Sequence, residues 1–107
     1  MSRGNKERRM THVQLLSQFL QTIQDDPRIT SKHISLYLVL IQQSGKDDIN
    51  NPIILKRVSL MQSAKISARP TYLKCLKDLH QSGYIQYVPA LHRHSKSIVY
   101  LSATCGK

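Results

Sequence analysis

The stretch KISARPTYLKCLKDLHQSGYI, residues 65–85, decides the fold that we expect for this chain. It begins with small and polar residues, continues as a helical pattern, and ends at a glycine that is followed by strand-forming residues. Tyr72, Leu76 and Leu79 recur at helical spacing, and most charged residues between them are basic. The pattern therefore predicts a helix over residues 68–81 with one buried stripe and one basic face.

Both ends of this helix carry their own signals. Ser67 is a natural N-cap, because a serine hydroxyl can accept a hydrogen bond from a free backbone N–H of the first turn. Pro70 is tolerated in the first turn, where its missing N–H is not needed, and Gly83 predicts the end of the helix. A short helix over residues 55–65 precedes this one, so we expect two helices joined by a tight turn.

Two further helices are predicted upstream. Thr11 can cap the first, which covers residues 11–24 and has one apolar stripe. The second, over residues 30–44, is apolar almost all round between residues 34 and 41, which is typical of a buried central helix. We interpret His33, at its polar start, as a surface histidine.

The C-terminal part of the chain predicts a β-hairpin. Residues 84–88 and 98–101 have strand-like composition, and the loop over residues 89–96 between them is basic. Its histidines, His92 and His94, lack a cysteine or carboxylate at ligand spacing, so we expect no metal site. The tyrosines of the hairpin, Tyr84 among them, are expected to pack across its strands. The predicted fold class is α+β, mainly α with a C-terminal hairpin.

Length and cysteine content suggest one small domain without disulfide bonds. The 107 residues are divided into a basic disordered arm (1–10), a single domain (11–102) and a flexible tail (103–107). Cys75 and Cys105 do not form a disulfide framework or a metal motif. No apolar run is long enough to span a membrane, and we expect a cytoplasmic protein.

The charge is concentrated in the second half of the chain. Residues 1–48 contain seven lysines and arginines against five acids, whereas residues 49–107 contain nine against one, Asp78. Within a net charge of +10, this asymmetry favours a polyanion as the partner. No catalytic triad, glycine-rich phosphate loop or pair of carboxylates is recognisable, so we do not expect an enzyme.

The phrase T-Y-x-x-x-L-x-x-L over residues 71–79, followed by G-Y-I at residues 83–85, resembles the winged helix-turn-helix superfamily. More narrowly, it looks like the small bacterial regulators and accessory proteins of mobile elements in that superfamily. In that superfamily the phrase forms the recognition helix and the first strand of the wing. The resemblance covers about residues 30–101 and implies a nucleoid-associated protein that binds double-stranded DNA, with no cofactor. Pro70 and the wing tip depart from the usual pattern.

The resemblance and the groove geometry of DNA together give a set of candidate binding residues. The N-terminal residues of a recognition helix reach base edges in the major groove, where Arg69 could bond guanine and Thr71 could contact thymine. Cations on the next turns and in the wing would contact phosphates or the minor groove. The predicted set is Lys65, Ser67, Arg69, Thr71, Lys74, Lys77, Arg93 and Lys96, with Lys56 and Arg57 as peripheral phosphate contacts.

Two alternatives to DNA binding remain open. The chain could be a winged-helix module that docks to other proteins without specific DNA readout, and the apolar helix over residues 34–41 would then contact the partner. A homodimer through residues 11–24 is compatible with both functions. RNA binding is disfavoured, because the sequence lacks an exposed aromatic platform for single strands.

Overall fold

The computed structural model describes residues 11–44, 51–93 and 95–101. Within these ranges the chain forms four helices and three strands, which are α1 His12–Ile23, α2 Ser31–Ser44, β1 Ile53–Ile54, α3 Arg57–Ala64, α4 Arg69–Gln81, β2 Ile85–Val88 and β3 Ile98–Leu101. The predicted arm (1–10) and tail (103–107) lie outside the described residues. The α+β class is confirmed.

Helix α1 begins at a capping box. The Thr11 hydroxyl accepts a hydrogen bond from the Gln14 N–H at 3.1 Å, and the Gln14 side chain accepts one from the Thr11 N–H at 2.9 Å. Leu15 and Phe19 are buried, and the Phe19 ring stacks on Tyr37 of α2 with 3.8 Å between ring centroids. The predicted cap and the single buried stripe are both confirmed.

Helix α2 lies at the centre of the helical layer. Leu36, Tyr37 and Leu40 are completely buried. The Ser35 hydroxyl donates to the Ala64 carbonyl at the end of α3 and fixes the two helices to each other. Leu38, however, is 42% exposed, so the prediction of a helix buried on all sides is wrong for one face. Apolar composition alone could not show which residues the neighbouring helices leave uncovered.

The three strands form an antiparallel sheet in the order β1-β3-β2. Val99 of β3 pairs with Ile53 of β1 on one side and with Tyr87 of β2 on the other. The predicted hairpin is confirmed, and β1 adds a third strand. Buried side chains from the sheet join those of the helices in one hydrophobic core.

Tyr84 links the start of β2 to α1 and to the loop before α2. Its ring meets Phe19 edge-on at 5.1 Å, and its hydroxyl donates to Asp26 at 3.0 Å. Asp26 also accepts two hydrogen bonds from the Arg28 guanidinium, at 2.9 and 3.0 Å. The prediction that Tyr84 packs across the hairpin is therefore wrong, because the residue precedes β2 and turns into the core.

Candidate nucleic-acid interface

A tight turn joins α3 to α4. Lys65 ends α3 in the left-handed conformation, with φ of 63°. Its N–H donates to the Gln62 carbonyl, and the next N–H, of Ile66, donates to the Met61 carbonyl at 2.9 Å. Ile66 is buried and anchors the turn in the core. Lys65 therefore offers its ammonium to a ligand, whereas its backbone N–H is already bonded.

Helix α4 begins at Arg69, with Ala68 as its N-cap residue. The predicted cap at Ser67 is wrong: the N-cap position falls one residue later, and alanine has no hydroxyl that could bond the first turn. Pro70 lies in the first turn, as predicted, and that turn contains no acidic residue. The start of α4 thus combines the positive end of the helix dipole with the Arg69 guanidinium.

The two faces of α4 divide as the sequence predicted. Its inner face buries four residues, which are Tyr72, Cys75, Leu76 and Leu79. Arg69, Lys74 and Lys77 are exposed, and Thr71 is partly exposed. Burial raises the pKa of the Cys75 thiol, so this cysteine is a core residue and not a reactive one.

One cation of the predicted set has a partner on the same helix. Lys74 forms an ion pair with Asp78 at 2.9 Å. The same carboxylate oxygen accepts a hydrogen bond from His33 of α2 at 2.8 Å. The His33 contact and then Lys74 hold the pKa of Asp78 below its ordinary value. Because exposed pairs of this spacing contribute little, about 0.3–0.5 kcal/mol, Lys74 can still exchange its partner for a phosphate.

His33 is buried, at 5% exposure, so its interpretation as a surface histidine is wrong. Its Nδ1 accepts a hydrogen bond from the Thr30 N–H at 2.9 Å. Nδ1 is therefore unprotonated, and Nε2 carries the proton that is donated to Asp78. A polar bridge thus runs from the start of α2 to the recognition-helix candidate α4. The two partners are 45 residues apart, and no local signal in the sequence links them.

A depression of about 300 Å³ lies between the starts of α3 and α4 and the base of the hairpin loop. Arg57 and Arg69, each the first residue of its helix, line it together with Tyr72, Tyr87 and Pro89. Tyr72 is only 2% exposed. Burial and the neighbouring Tyr87 raise its pKa to about 12, so the phenol keeps its proton at neutral pH. Sequence reasoning assigned Tyr72 to the core and did not find this depression.

The loop between β2 and β3 is partly ordered by its own hydrogen bonds. The Ser95 N–H donates to the His92 carbonyl at 2.9 Å, and the Ala90 N–H donates to the Ser97 hydroxyl at 3.1 Å. Arg93 and Lys96 are exposed, as predicted, and His94 lies outside the described residues. The loop therefore presents at least two exposed cations, and its base at Pro89 and Ala90 lines the same depression as Arg69.

The described residues contain no group of three or more histidine, cysteine or acidic side chains that could hold a metal ion. None of their helices has both the length and the apolar character needed to cross a bilayer. Within residues 51–101 the sequence contains one acid, Asp78, which the two partners above already bond. The surface formed by α3, α4 and the loop is thus strongly positive.

Comparison with known proteins gives no family for this chain: no protein family, no curated protein and no solved structure matches it.

Proposed function

We propose that this protein binds double-stranded DNA in a sequence-specific manner as a winged-helix protein, with α4 in the major groove and the β2–β3 loop as the wing. The observation that carries the proposal is the acid-free start of α4 with exposed cations along α4 and on the adjacent loop. A helix of this size fits the major groove, and clustered cations supply the phosphate contacts that binding needs. The element order and the pairing of β1 with β3 support the winged-helix arrangement.

In this proposal the residues have separate roles. Thr71, on the first turn, contacts a base, and Lys77, further along the exposed face, contacts the backbone or a base edge. Lys65, Arg93 and Lys96 bind phosphates on either side of the groove. The biological role is that of a transcription regulator or an accessory factor of a mobile element.

Selection of bound duplexes from a random pool tests the proposal. The wild-type protein should enrich one motif, with affinity that falls steeply as salt is raised. Thr71→Val, which keeps the shape of the side chain and removes its hydroxyl, should relax the preference at one position. Lys77→Ala should weaken binding to all duplexes more evenly. Equal affinity of the wild-type protein for all duplexes would exclude the sequence-specific function.

A second candidate function is docking to another protein. An open apolar depression of about 480 Å³ lies along α3 and the turn, lined by Val58, Met61 and Ile66 among others, and Val58 is 60% exposed. Apolar surface of this kind is typical of protein interfaces. Binding to such a partner should survive high salt, whereas binding to DNA should not.

A further inference from the structure

We propose that the depression between the starts of α3 and α4 binds a phosphate group, which is held by the guanidinium groups of Arg57 and Arg69 and by the Tyr72 hydroxyl. The inference rests on the proposed function in one respect: the phosphate is expected to belong to the DNA backbone, which would pass the base of the wing at this place. A free phosphate offers the same chemistry.

The first observation is an uncompensated pair of cations. Arg57 and Arg69 line one depression, although they come from different helices. Among the described residues, Arg57 donates only to the Met61 sulfur, a weak acceptor, at 3.8 Å, and Arg69 has no hydrogen-bond or ion-pair partner. Two guanidinium groups that share a depression without a carboxylate repel each other. An anion bound between them is attracted to both and offsets this repulsion.

The second observation does not depend on the arginine charges and concerns Tyr72. Its side chain is almost completely buried, yet it lines the depression, and its hydroxyl has no hydrogen-bond partner among the described residues. A phenol hydroxyl at the wall of a cationic depression, with no partner among these residues, can donate to an anion that is bound there. Its raised pKa, about 12, keeps the phenol protonated and therefore a donor.

The site changes the role of Arg69. The sequence suggested that Arg69 bonds a guanine edge, but a guanidinium held beside Arg57 and Tyr72 at the base of the wing is placed for the backbone. Phosphate contacts fix the register of a protein on the duplex and carry no base information. Base reading then falls to Thr71, on the first turn of α4.

Neutral methylphosphonate substitution, one phosphate at a time in the selected duplex, tests the assignment. With the wild-type protein, one position in each bound site should weaken binding by about tenfold when it is neutralised. Arg57→Ala and Arg69→Ala should each weaken binding to a similar extent, make that position insensitive and leave the selected motif unchanged. Tyr72→Phe, which keeps the ring in the core, should cause a smaller loss at the same position.

Lys32→Ala is the matched control, since it removes an exposed cation of α2 outside the depression. This variant should show the same methylphosphonate-sensitive position as the wild-type protein, and its affinity for the duplex should change by about twofold or less. The proposal is overturned if both arginine variants keep the same sensitive phosphate, or if Arg69→Ala alters the preferred base instead.

Failure of DNA binding itself has a different signature. If the wild-type protein binds no duplex, inorganic phosphate is titrated against chloride at equal ionic strength and the Tyr72 ring signals are followed by NMR. Shifts that Arg57→Ala abolishes support a site for free phosphate. Absence of shifts in the wild-type protein overturns the site.

Discussion

Asp78 connects the basic face of α4 to the interior of the protein. One of its oxygens accepts hydrogen bonds from His33, which is buried, and from Lys74, which is exposed. The two bonds differ in environment and therefore in energy. When a buried donor is lost, its acceptor stays partly unsatisfied. When an exposed ion pair is lost, water solvates both groups and little stability is lost.

We therefore expect His33→Ala to lower the free energy of unfolding by about 1–3 kcal/mol, because Asp78 and the Thr30 N–H both lose a buried partner. Lys74→Ala is the control and should cost about 0.5 kcal/mol or less. Urea unfolding followed by circular dichroism measures both. Equal losses in the two variants would contradict the importance of the polar bridge.

Asp26 gives a pH prediction. Hydrogen bonds from the Arg28 side chain, together with its backbone N–H and the Tyr84 hydroxyl, lower the Asp26 pKa from 3.8 to about 2. Because the folded protein binds the proton less tightly than the unfolded chain, this contribution is complete above about pH 4 and is lost as pH falls towards 2. Asp26→Asn should flatten the fall of the melting temperature over that interval. If the melting temperatures of the wild-type protein and the variant fell in parallel between about pH 4 and 2, Asp26 would not be the source of the acid sensitivity.

At the scale of elements, α3 and α4 end in the same way. In each, a residue with positive φ closes the end of the helix: Lys65, with φ of 63°, directly follows α3, and Gly83, with φ of 87°, follows α4 after Ser82. The next residue is buried in both cases, Ile66 or Tyr84. Backbone hydrogen bonds of the same pattern close both ends. Glycine adopts this conformation without strain, whereas a lysine does not.

Replacement of Lys65 should therefore separate stability from binding. Lys65→Gly should raise the free energy of unfolding by about 0.5–1 kcal/mol, because it relieves the left-handed strain. Lys65→Ala removes the same ammonium without that relief and should not stabilise the protein. Both variants should lower the salt dependence of duplex binding by about one phosphate contact. A stabilised Lys65→Ala variant would argue against backbone strain as the cause.

The elements themselves could largely be predicted, because their signals are local. Thr11 and Gly83 mark helix ends by hydrogen bonds and conformations that involve only neighbouring residues. The prediction of Ser67 as the N-cap was wrong by one position, because the turn after α3 places Ala68 at the N-cap of α4. Contacts between distant residues, such as His33 with Asp78, depend on how α2 and α4 pack against each other, and no local sequence pattern indicates them.

At the scale of the whole molecule, α1 differs from the rest of the surface. Residues 11–24 contain no lysine, arginine or acid, although the chain carries a net charge of +10. Val13 is 76% exposed and Leu20 is 40% exposed on this helix. Two copies of a strongly cationic protein repel each other on most faces, and an uncharged apolar face is where self-association costs least.

The homodimer through residues 11–24 thus stays a prediction that light scattering can check. We expect a mass near twice the 12.3 kDa of the chain at micromolar concentration. A Val13→Glu and Leu20→Glu double variant should be monomeric, whereas Val58→Glu, a change of an apolar residue on α3 whose exposure, 60%, lies between theirs, should leave the mass unchanged. The DNA site of a dimer would contain two half-sites about 34–36 Å apart, or a multiple of that distance. Monomer in the wild-type protein would exclude this assembly.

The most direct test of the central claim is an NMR titration of the labelled protein with its selected duplex, at low and at high salt. If α4 and the wing contact DNA, the largest amide shifts should fall on residues 65–77 and 89–97, and high salt should abolish them. Shifts confined to α1 or to the outer face of α2, or shifts that do not change with salt, would contradict the claim.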